Sequence, residues 1–400
     1  MIRENIINLC LIGFLLLSSS AFAKGNEDYP VINSNAILSS EYLSSTYHRV
    51  DSIDVNNDYY HFIVESDIGR YTVHSLALLK KRVNEIKTIS QAINVYQQEN
   101  EEFSGELRSQ LTISSDSAVD LITRPISSAS NFAGQLADNL NATLAGEDAF
   151  IYQSDHRPSY EPRDPTTATH KRNIAFQLGL DIYTNNPRAQ SFLNMVASAR
   201  SSGKVSAGIG ISNAVRNVDE MDQKIRFLMK KMTLAELNFH NTKWLTKTGI
   251  KPYLVKQFIA YPGLSPTNKT RIAAYLSKLG HVSGLDEFIK LSLKVRTELQ
   301  ASLFERLSKT LWKFNQDKET VSRLSNYNGH LNMITISGDI VFFDTADLFI
   351  WSELKQRQYE ASAKYAKQSG FKNWQLVSLG ELTSLAKQKM SALAFSLIFI

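Results

Sequence analysis

The sequence predicts an α+β fold dominated by helices: a helical body with an N-terminal β-hairpin-plus-helix and a small C-terminal α/β element. Three observations lead there. Apolar residues recur at spacings of three and four over long stretches, as at Leu76, Leu79, Val83, Ile86, Ile89, Ile93 and Tyr96. β-branched and aromatic runs bounded by turn residues stand at 59–74 and 331–343. Helical spacing fills most of the chain between those two β elements, and no alternating strand–helix pattern surrounds Gly208-Ile209-Gly210.

The stretch from Met1 to Ala23 has the three-part layout of a secretory signal. Arg3 is followed by the apolar run Ile6–Leu17, then by Ser18-Ser19-Ser20-Ala21-Phe22-Ala23 with small residues where a signal peptidase reads. That run falls short of the ~20 residues a spanning helix needs. The expectation is cleavage after Ala23 and a periplasmic or secreted destination. Cys10 is the single cysteine and lies inside the run. The chain beyond Ala23 therefore offers no disulfide, no thiolate nucleophile and no cysteine metal site.

Residues 24–58 read as a polar, irregular lead-in. Tyr59 to Glu65 reads as a strand, Asp67-Ile68-Gly69 as a turn, and Arg70 to His74 as the returning strand. Ser75 is an N-cap for a helix to about Gln98, with Lys80, Lys81, Arg82 and Lys87 mostly off its apolar stripe. Ser104 to Thr123 reads as helix. Ile126 to Leu144 reads as a helix rich in small residues and too polar to span a membrane. Residues 152–169 hold three prolines in eight residues, so a long exposed connection is expected there.

Helices follow. One runs from His170 to Leu178. Asn186-Pro187 opens another to about Ser201, since proline at the first helical position forfeits no hydrogen bond. Gly203 to Ile211 is a glycine-rich interruption, and Asn213 to about Phe239 reads as one strong helix. Shorter pieces broken at Pro252 and Pro262 lead to a helix opened by Ser265-Pro266. A long amphipathic helix is expected from Leu285 to Phe314, braced by Asp286–Lys290 and Glu305–Lys309 pairs. Leu331 to Phe343 then reads as a hairpin. Asp347 reads as the cap of a helix ending at Gly370, Trp374 to Leu379 as a strand, Glu381 to Met390 as a short helix, and the terminal AFSLIFI as a buried strand.

Charge divides the chain more sharply than composition does. Residues 24–165 carry 11 basic and 21 acidic side chains, net −10. Residues 166–328 carry 25 and 11, net +14, and residues 329–400 carry 7 and 6, net +1. These are the expected regions: an acidic N-terminal region, a basic helical region and a small C-terminal α/β region. The plain reading is that the acidic region docks on the basic one. The functional reading is a basic helical surface aimed at an anionic partner. Its densest group is Lys224, Arg226, Lys230, Lys231, Lys243, Lys247, Lys251 and Lys256. For an exported chain the partner classes are anionic lipid or another envelope component, with nucleic acid disfavoured.

Catalytic signals are weak by comparison. Asp344 and Asp347 end an apolar strand, where haloacid-dehalogenase-like phosphatases place paired aspartates. Those aspartates are two residues apart and these are three, so a strand end plus a helix cap is the better reading. Asp54, Asn56, Asp58 and Glu65 fit positions of a calcium loop, but the required glycine is Tyr59, and a solvated turn is expected. None of the eight histidines forms a His-Glu-x-x-His pair, and there is no Gly-x-Ser-x-Gly elbow. Gly203-Lys204 lacks the other residues of a phosphate loop, and Gly208-Ile209-Gly210 alone is too little for a nucleotide site. His156, Arg157, Tyr160 and Arg163 in the proline-rich connection are the polar loop residues most worth locating. No cofactor or metal is implied. A non-catalytic exported binding or scaffolding protein of the bacterial envelope is the leading reading. The others are a periplasmic hydrolase with a site assembled from distant residues, and a membrane-active or secreted effector using 126–144 and 203–211.

Overall fold

The computed structural model describes residues 25–113, 160–206, 219–327 and 329–399. The signal-like segment, the small-residue stretch at 126–144, His156, Arg157 and most of 203–211 lie outside the described residues. Among the described residues helices take 55% and strands 17%, which makes it a helix-dominant α+β fold.

The N-terminal unit is a sheet backed by one long helix. After two single-turn helices, α1 (Ser34–Ile37) and α2 (Ser40–Leu43), come β1 (His48–Asn56), β2 (Tyr59–Ser66) and β3 (Tyr71–His74), antiparallel in that order. The lead-in expected to be irregular thus contains a nine-residue strand. Asn57 and Asp58 join β1 to β2, both at positive φ (55° and 69°). That is the primed two-residue turn whose twist matches the strands it joins, and Asn and Asp tolerate it best after glycine. α3 (Leu76–Glu99) is capped by the Ser75 hydroxyl, which accepts from the Leu78 N–H, and its Leu79–Val83–Ile86–Ile89–Ile93–Tyr96 stripe is buried. Arg82 is an exception to the expected outer face, because two carboxylates draw it inward.

The helical body comprises α4 (Glu101–Ile113), α5 (Pro165–Leu178), α6 (Pro187–Ser201), α7 (Glu220–Lys231), α8 (Leu234–Lys247), α9 (Pro252–Ala260), α10 (Pro266–Leu276), α11 (Leu285–Ser292) and α12 (Glu298–Asp317). The proline-rich connection ends sooner than expected. Asp164 caps α5 and Pro165 occupies its first position, so that proline starts a helix instead of preventing one. Of the single helix expected over 213–239, residues 213–218 lie outside the described residues and the rest is two helices, because Thr233 and Glu236 form a capping box that restarts the chain as α8. The 285–314 helix is also two, since Thr297 caps α12 by accepting from the Gln300 N–H. The expected pairs on it are rearranged: Lys290 pairs with Glu287, Asp286 with Lys251, Glu305 with Arg271, and Lys309 with Asp222.

The C-terminal unit is a five-stranded sheet in the order β10-β8-β6-β5-β4, one strand more than the hairpin and two further strands expected. Its strands are β4 (Val321–Tyr327), β5 (His330–Thr335), β6 (Ile340–Asp344), β8 (Trp374–Ser378) and β10 (Phe395–Phe399), with β6, β8 and β10 parallel. A two-strand pair, β7 (Leu348–Phe349) with β9 (Glu381–Leu382), and helices α13 (Glu353–Gln368) and α14 (Ser384–Ala392) complete it. The terminal segment is a strand as expected but not a buried one: β10 is an edge, and of its residues only Phe395 is buried. The opposite edge is covered. The Leu324 N–H donates to the Ser283 carbonyl at 2.8 Å, and Gly284 lies so close to the Leu324 carbonyl, at φ 76°, that no side chain fits.

The core crosses the charge boundaries seen in the sequence. One buried cluster joins the N-terminal sheet and α3 to α5 and α6, a second joins α9–α12 to β4–β6, and a third lies between the C-terminal sheet and α13 and α14.

Candidate functional site

Helices α7 to α9 carry the eight cations singled out in the sequence, and helical periodicity decides where they point. On α8, Leu237, Asn241 and Leu245 recur every four residues and face inward, the Asn241 amide donating to Thr270 Oγ1 of α10 at 2.9 Å. Phe239, Lys243 and Lys247 therefore form the opposite, exposed stripe. On α7, Ile225 and Met229 are buried, leaving Lys224, Phe227 and Lys231 outside. On α9, Leu254, Val255 and Phe258 are buried, leaving Tyr253 and Lys256 outside with Lys251 just before them. Each helix thus presents one exposed aromatic ring among lysines. Phe239 is 74% exposed, Tyr253 55% and Phe227 51%.

Two anchors fix this layer. Lys309 of α12 bonds Asp219 and Asp222 at the start of α7, at 2.8 Å for Asp222, while the Tyr275 hydroxyl donates to Asp222 Oδ1 at 2.9 Å. Asp286 of α11 accepts from the Lys251 backbone N–H at 3.0 Å. These acidic side chains near the surface are thereby tied to the body, and the lysines are left facing outward.

The expectation that the acidic region neutralises these cations does not hold for them. Among the described residues, none of the eight forms an ion pair with a carboxylate from 24–165. Lys224 pairs with Glu220 on its own helix, and Lys251 with Asp286. Lys230 and Arg226 lie against the Phe176 ring, at 4.4 and 5.8 Å, and are half-buried. Lys243, Lys247 and Lys256 point to solvent. Ion pairs between the regions run elsewhere: Lys81 to Asp181, Arg82 to Glu298, Arg172 to Glu161 and Lys204 to Glu106.

A second charged constellation lies at the carboxyl ends of the parallel strands, where open α/β sheets commonly bind ligands. Asp344 ends β6 opposite Ser378 of β8. Lys355 and Tyr359, one turn apart on the inner face of α13, both bond Asp344 Oδ2, the tyrosine hydroxyl at 2.9 Å. Asp58, at the tip of the β1–β2 hairpin, lies 3.4 Å from Lys355 Nζ and accepts from the Tyr29 hydroxyl at 3.1 Å. The hairpin therefore covers this end of the sheet. Asp58 is buried and ion-paired, not the solvated turn residue expected.

Burial pulls the Lys355 ammonium down, but Asp344 and Asp58 outweigh it and hold its pKa above the ordinary lysine value. It stays charged, and a charged lysine is neither a nucleophile nor a base. Burial, followed by Lys355, pushes the His330 imidazole down to about 4, so it is neutral near pH 7. The constellation is a buried ionic tie between hairpin and sheet whose charges satisfy one another. Asp347 is likewise not the cap of α13, a role taken by Ser352. It reaches across to the N-terminal unit, accepting from the backbone N–H groups of Leu76 at 2.9 Å and Tyr60 at 3.3 Å.

The remaining sequence candidates do not converge on these sites. The Tyr160 hydroxyl donates to Asn185 Oδ1 at 3.0 Å, and its carbonyl accepts from the buried Lys171 ammonium at 2.6 Å. Arg163 is exposed. Asp54 and Glu65 sit on separate strands of the sheet and surround no common point with Asp58. Among the described residues no group of three or more histidine, cysteine, aspartate or glutamate side chains is arranged to hold a metal ion, and no helix is long and apolar enough to cross a membrane. The exposed rings escape a sequence reading because a phenylalanine in a helix usually faces the core; the signal is that Phe227 and Phe239 fall off the buried spacing of their own helices.

Comparison with protein-family models, curated proteins and solved structures finds no match for this chain.

Proposed function

We propose that this chain is an exported protein of the bacterial envelope that binds an anionic partner through the outer face of α7–α9, without catalysing a reaction. One observation carries the reading: Lys224, Lys231, Lys243, Lys247, Lys251 and Lys256 are exposed, and among the described residues none is neutralised by the acidic region that sequence charge would have offered it. Cations left in water gain little from their neighbours in the fold, so they remain available to an incoming anion. The charges of the buried constellation around Lys355 satisfy one another, so that cluster is not the site proposed here.

Heparin serves as a soluble polyanion to test this. The protein should be retained on a heparin column and released by salt, since charge-driven association weakens as the screening length shrinks. The variant Lys243→Glu/Lys247→Glu/Lys256→Glu should elute at much lower salt with an unchanged melting temperature. Identical elution of variant and parent would refute the surface.

A further inference from the structure

We infer that the anionic partner of α7–α9 is a lipid bilayer surface, with Phe227, Phe239 and Tyr253 seated at its interface; this rests on the binding role proposed for that face. Charge alone would suit any polyanion. What narrows the choice is the pairing of charge with exposed rings. Each of three consecutive helices places one aromatic side chain outward, and in each case lysines flank it within about a turn. α7 and α8 are joined by two residues, and α8 and α9 by four. α7 and α8 both pack on the buried α10, and α9 packs on α8, so the three ring-bearing helices form one connected group.

An exposed phenylalanine gains nothing from water. Phe227 and Phe239 together with Tyr253 make up three of the eight large hydrophobic side chains exposed among the described residues, and all three fall inside the stretch from Lys224 to Lys256 that holds the densest cations. Rings amid lysines at the outer face of a helix match a bilayer boundary, where the aromatic body enters the headgroup layer and the ammonium stays with the phosphates. The identity of the cations points the same way. The exposed ones are lysines, while the one arginine of the group, Arg226, is half-buried near Phe176. Lysine is a compact point charge on a flexible stem, suited to a diffuse negative surface. A fixed phosphate in a nucleic acid or nucleotide is more often read by the arginine fork.

The test uses vesicles of one part phosphatidylglycerol to two parts phosphatidylcholine beside pure phosphatidylcholine, with heparin elution measured on the same proteins. The full chain should co-sediment with the anionic vesicles and not with the neutral ones. Replacing the three rings (Phe227→Ser/Phe239→Ser/Tyr253→Ser) should weaken vesicle binding at least about tenfold while leaving heparin elution unchanged, because the rings supply apolar transfer and not charge. The triple lysine reversal should abolish both, each lysine being worth about fivefold at an anionic surface. If the ring variant binds vesicles as well as the parent does, or if heparin is bound and vesicles are not, the bilayer inference fails and the binding role stands. Failure of the parent to bind heparin and vesicles alike would remove both. The replaced side chains are exposed, so melting temperatures should match and report any variant that fails to fold.

Discussion

Burial pushes the Asp347 carboxyl up to about 6, against the pull of the Leu76 and Tyr60 N–H groups and of Arg306. In the unfolded chain an aspartate titrates near ~3.9. The folded protein therefore holds a proton on Asp347 at pH values where the unfolded chain has lost it. The resulting stability is fully present below about 4 and is lost as pH rises through about 6. The variant Asp347→Asn keeps an oxygen acceptor for the two N–H groups but cannot ionise. Relative to this variant, the parent should lose roughly 2–3 kcal/mol of stability between pH 4 and pH 7. Urea denaturation of both proteins across that range measures it, and parallel pH profiles would show that the carboxyl is not penalised. This residue also shows what a sequence conceals. Asp344 and Asp347 are visible as the acidic end of an apolar strand, but their partners Asp58, Leu76 and Lys355 come from other elements. The lysine leaves one trace: Lys355 occupies the same helical register as the buried Tyr359 and Ala366.

Elements are most legible where capping chemistry and apolar spacing agree. Ser75, Asn186-Pro187 and Ser265-Pro266 each open a helix as their residue types require. Long helical patterns mislead at 219–239 and 285–314, where each suggests one continuous helix. An unbroken 3.6-residue pattern hides a cap such as Thr233 or Thr297, whose restart keeps the same face buried on both sides. β10 is the instructive strand. Its run of apolar residues suggests burial on both faces, yet it is the open edge of the sheet, and its side chains divide. Phe395 packs edge-on against Phe342 and Tyr359 with ring centres 5.7 Å away, whereas Phe399 is 55% exposed. Phe395→Ala should therefore cost about 3 kcal/mol, and Phe399→Ala no more than ~0.5 kcal/mol. Urea midpoints of the two variants compare them directly, and similar losses would place Phe399 in the core.

On the scale of the molecule, the net charge of each region describes its surface and not its assembly. The acidic and basic stretches share one core, and the ties between them are specific. Arg82 of α3 donates to Glu85 and, at 2.9 Å, to Glu298 of α12, while Glu85 accepts from Thr184 and Asn186 at 2.7 and 2.9 Å. Lys355 joins Asp58 to Asp344, and Trp244 packs against both the first and the second core cluster. Removing one partner from such a buried network leaves an uncompensated charge, so neither half can loosen without straining the other. The N-terminal sheet and the rest of the protein should then unfold together. All four tryptophans, Trp244, Trp312, Trp351 and Trp374, lie outside the N-terminal sheet, so their fluorescence reports chiefly on the remainder. Phe62→Leu, a substitution at a fully buried position of β2, should lower stability by about 1 kcal/mol. Cooperative unfolding requires the tryptophan-detected midpoint to move by as much as the far-ultraviolet one. A shift confined to the far-ultraviolet signal would mean that the sheet melts on its own and that the buried ion pairs do not couple the two halves.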